Sequence, residues 1–249
     1  MAQKNITRDI VSLPRALSKL GYCSRSQGVE LIRKGIVCVN GRIERDIRCR
    51  VSLISDRLSV DSTVIGGKKE LLYLCLNKPR GVVTTRSDER GVPTVYDLLG
   101  KQPAWVFPIG RLDKQSSGLL LFTNDTRFGD ALTDPAAHHQ KTYCVKVDSA
   151  IPDADLKKLS RGIVLNDGYS TLPANTKRDT NDRTGRSFII TLTEGKNRQI
   201  RRMCEALGYM VVELRRRSIG RLLLGDLEQG KWRLLTRREK DLALENEEL

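Results

Sequence analysis

Apolar residues recur along this chain at two spacings. Leu13, Leu17 and Leu20 fall at i, i+4 and i+7 and stop at Gly21, the pattern of a short amphipathic helix. Ser24 and Gln27 have the form of a capping box, and the helix they open is predicted to run to Lys34 and end at Gly35. Its apolar side is Val29, Leu31 and Ile32, with Arg25, Arg33 and Lys34 outside. Ile36–Val39 reads as a strand. Asn40-Gly41 reads as a two-residue hairpin turn, since both residues tolerate positive φ. A further strand ends near Leu58–Val60.

Beyond Leu71 the runs shorten and become strand-like. Leu71–Leu76 reads as a buried strand that Asn77–Gly81 breaks before Val82–Thr85 resumes in β-formers. Ala104–Ile109 and Leu119–Phe122 are two more apolar runs, and Gly110-Arg111-Leu112-Asp113 lies between them. An aspartate there is a turn residue or a partly buried carboxylate, and periodicity favours the turn. Lys141–Val147 alternates as a strand, so Tyr143 reads by pattern alone as core packing. Asn197 as cap and Gly208 as stop predict a helix of about ten residues with Ile200, Met203, Cys204 and Leu207 in one stripe. Arg198 and Arg202 project on the far side. Arg201 lies about 100° from Ile200, best placed to reach sideways into a partly buried site. The plain alternative is a helix with three solvated arginines.

The polar segment Ser62–Glu70, with Gly66-Gly67, is the expected linker. It divides the chain into a front domain, residues 1–61, and a larger one, residues 71–249, of the α+β class.

Composition adds a partner. Of 249 residues, 44 are basic and 30 acidic, giving +14. Residues 1–60 carry +7, residues 61–194 carry +3, residues 195–240 carry +8 and the last nine carry −4, the last reading as a frayed acidic end. Such an excess points to a polyanion, nucleic acid or acidic membrane. No apolar run approaches the roughly 20 residues of a spanning helix, and the N-terminal stretch lacks the apolar core of a signal peptide. A cytoplasmic, soluble protein is expected. The six cysteines contain no CxxC pair and are expected to be reduced and buried, and the two histidines are neighbours, His138 and His139. Neither a metal site nor a histidine-based triad is therefore expected.

Two sets of motifs carry a resemblance. LPRALSKLGYCSRSQGVELIRKGIVCVNGRI, within Leu13–Asp61, resembles the ribosomal-protein-S4-like RNA-binding domain. By that resemblance Arg15, Lys19, Arg25, Arg33, Lys34 and Arg42 lie along structured RNA. Singly each reads better as a solvated charge, but as a set they add phosphate contacts. NKPRGVVTT, FPIGRLDKQSSGLLLFTND and EGKNRQIRRMCEALGYMVVEL, in that order, resemble the RsuA/RluB/RluE/RluF family of ribosomal RNA pseudouridine synthases, in detail most like its RluF-like, large-subunit branch.

The resemblance implies a bent, mostly antiparallel mixed sheet with a central cleft, and chemistry without cofactor or metal. Uracil is detached from its ribose, turned, and rejoined through carbon. It also implies Asp113 as nucleophile, Arg201 as the basic residue that pairs with it, and Tyr143 as the active-site tyrosine, either stacking on the base or moving a proton. A desolvated carboxylate needs such a cation to stay ionised. Arg111 is then a candidate for the slot vacated when the target base is extruded, or for a phosphate contact. Arg198 and Arg202 are candidates for phosphate. Ser116 stands where many relatives have threonine. The expected partner is ribosomal RNA or a precursor particle, here read as large-subunit RNA. Small-subunit RNA, transfer RNA and a non-catalytic S4-type binder are the alternatives. A monomer is expected.

Overall fold

The structure, a computed structural model, describes residues 10–66, 70–100 and 105–247. The described residues form two compact units: the first takes those up to Leu72 with short stretches ending at Phe107 and at 124–126, the second takes the rest.

In the first unit β1 (Ile10–Ser12), α1 (Leu13–Lys19) and α2 (Arg25–Lys34) precede β2 (Val37–Val39), β3 (Arg42–Ile43), β4 (Arg50–Ser52), β5 (Leu58–Val60) and β6 (Thr63–Ile65). The capping box forms as the sequence predicts. The Ser24 hydroxyl accepts the Gln27 N–H, the Gln27 side chain accepts the Ser24 N–H, and Gly35 ends the helix in the left-handed region at φ 73°. Asn40 and Gly41 also take positive φ, and Val39 faces Arg42 across their turn. Leu13, Leu17, Ile32, Val37, Leu58 and Val60 are almost wholly buried in one cluster. Each such side chain contributes roughly 1.5–3 kcal/mol.

The linker expected over residues 62–70 gives way in part to a strand. Thr63–Ile65 pairs with β5 through a second two-residue hairpin, extending the sheet to β3-β2-β5-β6. Its turn residues, Asp61 and Ser62, take φ of 48° and 63°. No glycine marks that turn, so the sequence carries little signal for it. Gly67, Lys68 and Lys69 lie outside the described residues.

The second unit holds β7 (Tyr73–Lys78), α3 (Val95–Leu99), β8 (Phe107–Ile109), β9 (Ser117–Thr123), α4 (Thr126–Thr133), β10 (Lys141–Val147), α5 (Asp153–Arg161), β11 (Asn175–Arg178), β12 (Ser187–Leu192), α6 (Gln199–Glu205), β13 (Val211–Ile219), β14 (Leu222–Leu223), β15 (Trp232–Leu234) and α7 (Arg237–Leu244), with β8 and α4 beginning in stretches that belong to the first unit. The sheet order is β11-β12-β10-β13-β9-β7-β15, with β14 beside β13 and β8 beside β9. The β13–β9 pair is parallel, and the other pairs whose register is defined in this sheet are antiparallel.

Alternation along β10 and β13 puts Tyr143, Leu214 and Arg216 on one face and Cys144, Arg215 and Arg217 on the other. α5 and α6 cover the first face through a cluster that includes Leu156, Leu159, Ile200, Met203, Val145 and Leu214. α4 and α7 cover the second around Leu119, Leu121 and Ile219.

Five expectations change here. β7 does not break at Asn77 but carries Asn77 and Lys78 as buried strand residues, because both find partners inside. Val82–Thr85 supplies only the single bridge Val83↔Thr94. α6 is capped by Arg198, not Asn197, and ends at Glu205, three residues short of Gly208. The acidic end is fastened rather than frayed: Gln140 N–H donates to Asn246 Oδ1 at 3.0 Å, and Glu247 N–H donates to Gln140 Oε1 at 2.9 Å. The six cysteines are free, but only Cys23, Cys75 and Cys204 are buried. None of the described helices is long and apolar enough to cross a membrane.

Candidate active site

Asp113 lies on a turn between β8 and β9, and that turn is held at consecutive backbone groups. The Thr84 hydroxyl donates to the Leu112 carbonyl at 2.7 Å and accepts the Leu112 N–H at 3.3 Å. The Asp113 carbonyl accepts from Ser116 N–H at 3.0 Å and from Lys78 Nζ at 3.1 Å. The Lys114 carbonyl accepts from Gly81 N–H at 2.8 Å. The Gln115 carbonyl accepts from Arg201 Nη2 at 3.0 Å, and the Ser116 carbonyl from Lys78 Nζ at 2.8 Å. So the end of β7, the loop after it and α6 together fix five carbonyls in a row. Gly118 follows at φ 102°, where a Cβ would come within 2.2 Å of the Arg216 carbonyl oxygen. Only glycine allows β9 to approach β13 that closely.

The floor beside this turn is cationic. Lys78 is fully buried, and burial pulls its pKa down to about 8; Arg216 pushes the same way and the Asp113 carboxylate opposes. Arg216 is 3% exposed, donates through Nε to the Leu119 carbonyl at 2.7 Å, and stands opposite Tyr143 on one side and Gly118 on the other. Lys141, near Arg216, is also brought down to about 8 by burial. Arg201 spends its fork on carbonyls, with Nη1 on Val211 at 2.9 Å and Nη2 on Gln115. Its pKa is lowered by burial first and then by Arg198 and Arg80, while Asp113 raises it. The direct Arg201–Asp113 ion pair expected from the resemblance is absent among the ion pairs of the described residues. Arg201 reaches the turn, and its field reaches the carboxylate, but its hydrogen bonds go to the backbone.

The family model described as RNA pseudouridylate synthase matches residues 72–206, a span that includes Lys78, Asp113, Tyr143 and Arg201. The chain belongs to the RNA pseudouridylate synthase family. The S4 domain model matches residues 11–57. Ribosomal large subunit pseudouridine synthase B of Bacillus subtilis is 40% identical, over 91% of this chain and 93% of its own length. The protein of the same name from Escherichia coli O6:H1 is 34% identical, over 94% of this chain and 80% of its own. A solved structure titled "Crystal structure of pseudouridylate synthase" is 29% identical, covers 94% of this chain and 99% of its own, and superposes with a TM-score of 0.68. Both large-subunit relatives carry the B designation, whereas the motifs resemble the F-type branch.

Within this pseudouridine synthase fold the other candidate residues sort by surroundings. Asp113 and Tyr143 are half-buried, and Tyr143 packs against the cluster under α6, as its strand pattern predicts. Arg111 is exposed. Arg198 is no helix-face residue: it stands ahead of α6 at φ 49°, exposed. Arg202 is ion-paired with Asp167, and so is not the free phosphate contact expected.

In the first unit Arg15, Arg25, Arg33, Lys34 and Arg42 are exposed or nearly so and Lys19 half-exposed, and none of the six makes an ion pair among the described residues. The residues that sequence reasoning missed are Lys78, Gly81, Thr84 and Arg216. The first three stand in the NKPRGVVTT motif, and that motif was the available signal. A cavity of about 700 Å³ on the opposite sheet face, lined by Cys144, Lys146, Arg215 and Arg217 among others, contains none of Asp113, Tyr143 or Arg201. Among the described residues no group of His, Cys, Asp and Glu is arranged to hold a metal ion.

Proposed function

We propose that this pseudouridine synthase isomerises a uridine of large-subunit ribosomal RNA, with Asp113 as the nucleophile. The observation that carries the reading is the half-buried Asp113 on a turn held at consecutive carbonyls, inside the span that matches the family. The large-subunit substrate is supported by the names of two relatives that align over most of this chain.

In this reading the bond from the ribose C1′ to uracil N1 breaks and the ring turns. A bond forms from C1′ to C5, the C5 hydrogen leaves as a proton, and N1 gains one. Asp113 engages the nucleotide while its base is detached. Arg201, Lys78 and Thr84 position the turn so that the carboxylate arrives in one geometry, which is how a positioned group lowers a barrier. Tyr143 supplies the aromatic face for the base, and Arg111 either fills the vacated stack or holds a phosphate. Arg198 takes a phosphate, and Arg15, Lys19, Arg25, Arg33, Lys34 and Arg42 of the S4-like unit hold structured RNA. The reading needs one chain only, and a ribosomal substrate puts its work in the cytoplasm.

The test is release of tritium from large-subunit ribosomal RNA labelled at uracil C5. Wild-type protein should release it, and Asp113→Asn should release none while keeping its RNA affinity, since the amide is nearly isosteric but no nucleophile. Turnover by the Asn variant sinks the assignment of the nucleophile. Release from small-subunit or transfer RNA instead of large-subunit RNA sinks the assignment of the substrate.

A further inference from the structure

The ground around Asp113 holds more positive charge than one carboxylate accounts for. Lys78, Arg80 and Arg201 gather at this turn, Arg198 lies near Arg201, and none of the four makes an ion pair among the described residues. Lys78 and Arg201 are spent on backbone carbonyls, those of the turn included. Arg80 is different. Its backbone is tied down, because Pro79 precedes it and the Gly81 N–H donates to the Lys114 carbonyl at 2.8 Å. Its side chain is exposed and, among the described residues, held by one long bond, Nη2 to the neutral Gln115 Oε1 at 3.3 Å.

A guanidinium has five donors in a fixed fork, and a phosphate is a far stronger acceptor than an amide oxygen. A fixed base and a weakly engaged head, beside the residue that must meet an extruded nucleotide, make a side chain ready to change partner.

We propose that Arg80 is an RNA-backbone contact: on binding, its guanidinium leaves the Gln115 amide for a phosphate next to the target nucleotide. This rests on the functional reading above and adds a binding residue to it. The exchange turns a surplus cation into a neutralised one. It also lowers the repulsion among Arg80, Arg198 and Arg201 in the complex, so Arg80 contributes more to bound RNA than to the free protein.

The experiment measures affinity for a large-subunit ribosomal RNA transcript across a salt series, for wild type, Arg80→Gln, Arg80→Lys and Gln115→Ala. Arg80→Gln should lose roughly tenfold in affinity at low salt, as expected for one charge-assisted contact. Its log–log salt slope should flatten by about 0.7–0.9, one released counterion. Its loss in kcat/KM should follow the loss of affinity. Arg80→Lys should restore the slope and only part of the affinity, because a lysine keeps the charge without the fork. Gln115→Ala should keep the wild-type slope, since it removes only the partner Arg80 gives up.

A wild-type slope in Arg80→Gln overturns the proposal. So does a loss that appears only in the single-turnover rate at saturating RNA, which would make Arg80 a brace of the Asp113 turn. Failure of the functional reading shows separately, as absence of pseudouridine from transcript treated with wild-type protein.

Discussion

Replacing Lys78 with methionine keeps most of the side chain and removes its ammonium. Three carbonyls then lose a donor, those of Pro79, Asp113 and Ser116, at 3.0, 3.1 and 2.8 Å in the wild type. Asp113 retains the Ser116 N–H, so the heavier loss falls on Pro79 and Ser116. An unsatisfied buried acceptor costs about 1–3 kcal/mol. Against this, methionine takes a charge out of a fully buried position, which removes a desolvation penalty. Partners left behind normally outweigh that gain, and a net loss of about 2–4 kcal/mol follows. For a domain of this size such a loss lowers Tm by roughly 5–15 °C. Differential scanning calorimetry at pH 7 measures it. A methionine variant that melts together with wild type refutes the clamp.

The same residue fixes a pH signature. The folded pKa of Lys78 is brought to about 8, below the ordinary 10.5. Below pH 8 the lysine is charged in both states, and its burial penalty is fully present. Between 8 and 10.5 the unfolded chain binds more protons than the folded one, so this group makes stability rise with pH across that window. Methionine has no such dependence. The penalty of Lys78→Met should therefore widen as pH goes from 8 toward 10, read from urea unfolding at each pH. A penalty that narrows instead would mean that the attraction of Asp113 outweighs burial.

Two further outcomes are expected. Substituting Arg25, Arg33, Lys34 and Arg42 together with glutamine should flatten the salt dependence of RNA binding by up to about 0.7–0.9 for each phosphate no longer engaged; an unchanged slope would show that this face does not touch RNA. Gly118→Ala should lose far more stability than Gly168→Ala. Both sit at positive φ and share a strain of about 1–2 kcal/mol, but the new Cβ meets the Arg216 backbone within 2.2 Å at Gly118 and nothing within 4 Å at Gly168; equal losses by calorimetry would contradict the close approach of β9 to β13.

Local rules read the front unit well where they had strong signals. The capping box at Ser24, the stop at Gly35 and the Asn40-Gly41 turn all form where the residue types demand them. The Asp61-Ser62 turn escaped because neither residue is a strong marker of positive φ, and the pairing of β6 on β5 supplies what the turn lacks. In the second unit the strand holding Tyr143 and the turn at Asp113 were visible as alternation and as charge between apolar runs. What was not visible was partnership across the chain. A lysine at the end of an apolar run reads as a break, because burying it is costly unless its donors are used. Here carbonyls from residues 79, 113 and 116 use them, 35 and more positions away for the last two. Helical angle singles out Arg201, and it does reach the site, although the helix begins after Arg198 and the Arg201 fork closes on carbonyls.

That last difference bears on how the proposed nucleophile works. A cation bonded directly to the Asp113 carboxylate would stabilise the ion before attack, and stabilisation confined to the ground state slows the chemical step. Placing the same donors on the carbonyls of the turn separates two tasks. The hydrogen bonds fix the backbone that carries the carboxylate, and Lys78 and Arg201 both lie close enough to interact with Asp113 through space. The carboxylate is thus left without an ion-pair partner among the described residues, on a fixed backbone and in a positive field. A group that must attack carbon needs its lone pairs unshared and its approach fixed, and backbone clamping provides both where a tight ion pair provides only the second.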